Sequence, residues 1–159
     1  MLTGLRTVRS DEKSARLRKM GGMSFSSDGP ALTVRRAAEE AGGELRRHDE
    51  DAALRIVTQA FGGLQPHCTS EELDDFLVAP RSTGDPRYDV LIAVLARWTS
   101  RRRGLRIPDW TDVRALNEEW MPGTTGTPIP QWRDIVRRET PPEFLEKNIL
   151  AREKSWSIR

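Results

Sequence analysis

Cysteine is almost missing from this chain of 159 residues: Cys68 stands alone, so no internal disulfide can staple it. Histidine is nearly as scarce, with only His48 and His67. His67-Cys68 is the one place where two soft ligands meet, and adjacent residues without a second Cys or nearby His do not complete a tetrahedral metal set. No metal site and no cofactor is therefore expected, and Cys68 reads as a half-buried small thiol. No window approaches the ~18 apolar residues of a membrane span. The opening MLTGLRTVRS lacks the apolar core of an export signal, which leaves a reducing cytoplasm as the expected compartment. Catalytic signatures are absent too: there is no G-x-S-x-G, no phosphate-binding loop ending in Lys-Ser/Thr, and no H-E-x-x-H. The many neighbouring carboxylates, such as Glu71-Glu72 and Asp74-Asp75, point about 100° apart on a helix and read as solvated faces rather than acid–base pairs. A non-enzymatic protein is the expectation.

Charge is what the chain has in abundance. Lys, Arg, Asp and Glu make up 31% of it against 36% apolar residues, and the net charge is only +2. The distribution is uneven. Residues 1–36 carry eight bases and three acids, residues 37–94 five and twelve, and residues 95–159 thirteen and nine. An acidic middle between basic ends suits steering toward another protein better than dedicated nucleic-acid binding.

Residues 1–31, rich in Gly and Ser and poor in large apolar side chains, read as a disordered basic arm. Met23 is an alternative start within it. Residues 32–159 read as one all-α domain, a compact bundle of about five to seven short helices. Thr33 caps a segment that Gly42-Gly43 is expected to weaken or break. A second run ends at Gly62-Gly63, and Thr69 with Glu72 opens a third with a capping box. The clearest element starts at Asp85-Pro86, where Tyr88, Leu91, Ile92, Leu95, Trp98 and Thr99 form one helical stripe and Gly104 supplies the stop. Trp98 reads as core. Further helices are expected after Asp109/Thr111 (bearing Val113, Leu116 and Trp120), around Trp132, Ile135 and Val136, and from a Thr140–Glu143 capping box, with Asn148 closing the last in the left-handed region.

Two clusters are candidate contact sites. Arg101, Arg102, Arg103 and Arg106 could meet phosphates, although compensation of a helix dipole plus solubility is the favoured explanation of them. All five tryptophans lie after residue 97. Trp120, Trp132 and Trp156 sit at element ends or in short helices, where Trp serves either as core anchor or as interface residue. Residues 33–42 resemble part of a helix-turn-helix opening. The recognition helix would then contain Asp49, Glu50 and Asp51, which repel phosphates.

Thr83-Gly84-Asp85-Pro86-Arg87-Tyr88-Asp89, Gly104-Leu105-Arg106-Ile107-Pro108-Asp109-Trp110 and Thr140-Pro141-Pro142-Glu143-Phe144, followed by Asn148-Ile149-Leu150, occur in this order. Together they resemble small helical proteins of actinobacterial type, some of which look like antitoxin partners encoded beside nucleotidyltransferase-like toxins. The resemblance spans about residues 69–154, and Leu150-Ala151 departs from it, since a bulkier residue is expected after the Ile. It implies binding and restraint of a partner protein, and it carries over no catalytic residue. The leading expectation is an antitoxin-like protein-binding module contacting its partner through Arg101, Arg102, Arg103, Arg106, Trp120, Trp132 and Trp156. The alternatives are a DNA-binding regulator and a small enzyme with a site assembled from scattered residues.

Overall fold

The computed structural model describes residues 32–156; the expected basic arm lies outside them. Six helices run α1 (Val34–Arg46), α2 (Glu50–Gly62), α3 (Ser70–Phe76), α4 (Pro86–Arg102), α5 (Pro130–Glu139) and α6 (Pro142–Leu145). Short 3₁₀ turns lie at Asp109–Thr111 and Glu153–Ser155. Among the described residues there is no strand, only an isolated parallel bridge between Trp120 and Ile149. The protein is all-α.

The local signals act where the sequence places them. Thr33 accepts a hydrogen bond from the Arg36 N–H at the start of α1. Thr69 and Glu72 form a reciprocal capping box on α3. Asp85 caps α4, with Pro86 in its first turn. Asp49 caps α2 by accepting from the Ala52 N–H, and Glu50 and Asp51 occupy the first turn. The acids of the supposed recognition helix thus stand at the positive end of a helix dipole, which explains their clustering without any ligand. Gly104 and Asn148 take positive φ (64° and 60°), as expected of helix stops.

α1 and α2 fold back on each other across a three-residue turn in which His48 is itself left-handed, with φ of 62°. α4 is the centre of the molecule. From Tyr88 to Ala96 every residue except Asp89 is buried, so the helix is enclosed nearly all round rather than along the one stripe that its spacing suggested. Each fully buried large side chain contributes about 2 kcal/mol. Trp98 is only half-buried, edge-on to Phe144 at 6.1 Å. The apolar cluster draws on α1, α2, α3, α4 and α6, together with Ile149, Ala151 and Trp156, and on no residue of α5.

Three local expectations fail for tertiary reasons. Gly42-Gly43 does not break α1, because Gly42 is the point where Thr83 approaches: a Cβ there would stand 2.8 Å from the Thr83 carbonyl oxygen. No helix forms over 112–121. The carbonyls of Val113 and Leu116, which a helix would use internally, are taken by the Lys147 ammonium and the Asn148 side-chain amide. Backbone bonds from Trp120 N–H to Asn148 O and from Leu150 N–H to Trp120 O, both 2.8 Å, then fasten the segment in an extended form. Thr140 does not cap α6. It donates instead to Val136 O and accepts from the Ala151 N–H, which pins the end of α5 to the segment after α6.

Candidate functional site: an open groove beside α5

α5 has the right period and the wrong surroundings for a core helix. Only Val136 is buried, while Trp132 remains 40% exposed, Ile135 41%, and Ile129, just before the helix, 66%. α5 is held from one side by ions. Glu119 receives both Arg133 and Arg137. Burial works to raise the Glu119 carboxyl pKa, but hydrogen bonds from the two guanidiniums outweigh it and hold the group below its ordinary value. At the other end Arg152 pairs with Glu139 and lies over the Trp132 ring, 5.3 Å from its centroid.

Between this helix and α2 runs an open groove of about 380 Å³. Leu54 and Thr58 of α2 form one wall, Trp132 and Val136 the other, and Met121, Leu150 and Trp156 contribute to its lining. Leu54 and Thr58 are one turn apart and so share a face. The Thr58 hydroxyl is spent on its own helix, donating to the Leu54 and Arg55 carbonyls. The groove is of the size of ligand pockets, ~300–1,000 Å³, but is open rather than enclosing.

Trp156 forms part of a second groove as well, about 290 Å³, with Phe61, Leu64, Trp98, Arg102 and Arg103. Its ring stacks on Phe144 at 6.0 Å and is 7% exposed. Its indole N–H finds no acceptor among the described residues.

The other expected contact residues are placed apart from this surface or tied down. Trp120 stands on no helix; it packs 5.3 Å from Tyr88, beneath the Arg87 guanidinium. Arg101 pairs with Glu143 at 2.7 Å. Arg102 pairs with Glu153 and covers the Trp98 ring at 4.9 Å. Arg103 donates to the Leu64 and Gln65 carbonyls. Arg106 is 3.7 Å from Asp109 and strongly exposed. So the arginine run is largely engaged in tying the end of α4 to its neighbours. Of the seven residues, Trp132 and Trp156 share the first groove, and Arg102, Arg103 and Trp156 the second.

Leu54, Met121, Val136 and Arg152 complete the surface, and sequence reasoning did not single them out as site residues. Only the sparse apolar stripe of α5 hinted at it; the meeting of Arg152 with Trp132 has no local signature. His48 and His67 are exposed, and Cys68 is half-buried. Among the described residues no group of three or more His, Cys, Asp or Glu side chains gathers, and no helix is long and apolar enough to cross a membrane. Comparison with protein-family models, with curated proteins and with solved structures returns no match.

Proposed function

We propose that this chain is a non-enzymatic protein-binding module that masks a partner as an antitoxin restrains a toxin. The observation that carries the reading is the exposed apolar row Ile129, Trp132 and Ile135 beside an open groove. Partly exposed Trp and Ile one turn apart on a short peripheral helix are costly unless something covers them, and Trp is over-represented among residues that dominate binding energy. Because α5 adds nothing to the main apolar cluster, its sequence is free to answer to a partner rather than to the core. The nucleotidyltransferase-like class of partner rests on the sequence resemblance alone.

The test is co-expression with the product of the neighbouring gene, followed by size-exclusion chromatography. Co-elution of the two chains is the expected outcome, and Trp132→Ala with Ile135→Ser should abolish it while the helical dichroism is retained. Separate elution of wild-type chain and neighbour counts against the reading. So does a complex that the double variant forms as well as the wild type.

A further inference from the structure

Trp156 belongs to two grooves at once, and the way it is held is unlike that of any other buried aromatic in the described residues. Tyr88, also buried, donates its hydroxyl to the Glu50 carbonyl at 2.9 Å. Trp156 has a buried N–H with no such acceptor among the described residues. An unsatisfied buried donor raises the free energy of the state that contains it, by a factor of roughly 10 to 100 in the equilibrium constant. The segment that delivers the ring is a single 3₁₀ turn, Glu153–Ser155, without a side-chain cap and exposed along its length. Ion pairs on its flanks hold it: Arg102 with Glu153 on the α4 side, and Lys154 with Glu139, at 4.0 Å, on the α5 side. The side chains of the first pair are about half exposed, 54% and 50%.

We propose that the Glu153–Trp156 turn is a displaceable plug, with Trp156 as the partition between the two grooves. With the ring seated, the grooves of about 380 and 290 Å³ are separate. With the ring withdrawn, its N–H regains water and the Leu54–Trp132 groove becomes continuous with the Phe61–Trp98 groove. The balance is set by two opposed terms. Stacking on Phe144 and burial of the ring favour the seated state, whereas the unpaired N–H and the weak, solvent-exposed tethers favour release. This holds for the chain by itself and does not depend on the partner reading above.

The experiment uses the full chain labelled with 5-fluorotryptophan and observed by ¹⁹F NMR, with the Trp156 resonance assigned by its loss in Trp156→Phe. A second, solvent-exposed Trp156 population is expected. Glu153→Gln removes one tether and should enlarge that population roughly two- to five-fold, the range of an exposed ion pair. The apolar dye 8-anilinonaphthalene-1-sulfonate should bind Glu153→Gln more tightly by the same factor of roughly two to five, since opening joins the grooves and affinity follows the open population. A single Trp156 resonance, unmoved by Glu153→Gln, overturns the proposal. Dye affinity that stays constant while the resonance shifts also overturns it, because the ring would then move without joining the grooves.

Discussion

Gly42 and Gly43 are adjacent in the same helix, yet alanine at the two should have effects of opposite sign. In a helix interior, Gly→Ala gains about 0.8–1 kcal/mol from backbone entropy alone. At Gly43 nothing opposes that gain, since the nearest group to an added Cβ is the flexible tip of Arg46 at 3.9 Å. At Gly42 the Cβ would stand 2.8 Å from the Thr83 carbonyl oxygen and 3.3 Å from its Cα. Thr83 cannot give way cheaply. Its N–H and hydroxyl both donate to Asp89 Oδ1 at 2.7 Å, and its hydroxyl also accepts from the Asp85 N–H at 3.2 Å. Forcing atoms into such a contact costs about 1–3 kcal/mol, and disturbing the cap of α4 adds to it, so the total is about 2–3 kcal/mol. Gly42→Ala should therefore destabilise by about 1–2 kcal/mol net, and Gly43→Ala should stabilise by just under 1 kcal/mol. At about 3 °C per kcal/mol for a chain of this size, thermal melts followed by helical dichroism should separate the two variants by about 6–9 °C. Melting temperatures that move in the same direction would refute the claim that Thr83 dictates the glycine.

Three further outcomes follow from particular contacts. Burial tends to raise the Asp85 pKa, but hydrogen bonds from the Arg87 side chain and backbone overcome this and leave it below 3.8. Its contribution is therefore present above that pH and lost as pH falls through the lower folded value. Asp85→Asn keeps a capping side chain but loses the charge that faces Arg87 and the helix dipole, so it should cost about 0.5–1 kcal/mol at neutral pH, with the gap to wild type in urea melts closing below pH 3.8; a gap independent of pH contradicts the ionic role. Glu119→Gln should loosen α5 selectively, so that its amides exchange several-fold faster while those of α4 are unchanged; uniform acceleration would show that Glu119 supports the whole fold. Asn148→Gly keeps the positive φ and loses the bond to Leu116 O, so a loss of about 1 kcal/mol is expected; no loss would mean that the 112–120 segment is held by its backbone bonds alone.

What could be read from the sequence was local. Asp85-Pro86, Thr69–Glu72 and Gly104 act within a few residues of themselves, and the elements that they bound were foreseen. Over 112–121, the helical spacing of Val113, Leu116 and Trp120 predicts a helix. That spacing is honest, but Lys147 and Asn148 compete for the same carbonyls from over 30 residues away, and no local pattern announces them. The same limit applies to the groove. Trp132 and Trp156 could be named as contact candidates, but their convergence depends on how α5 is fastened. The arginine run shows in the sequence only as a basic helix end, because its acidic partners, Glu143 and Glu153, lie about 40 to 50 positions further along.

That fastening also bears on how the chain can change. The stretch carrying α5 leaves the framework at Trp120 and rejoins it at Thr140, and both anchor points are bonded to the same short run, Asn148 to Ala151. Between them the stretch is an excursion whose exposed side chains, Ile129, Trp132 and Ile135, can drift while the clasp stays shut. A family of such proteins could therefore re-aim its α5 surface at new targets without re-solving the problem of how to fold.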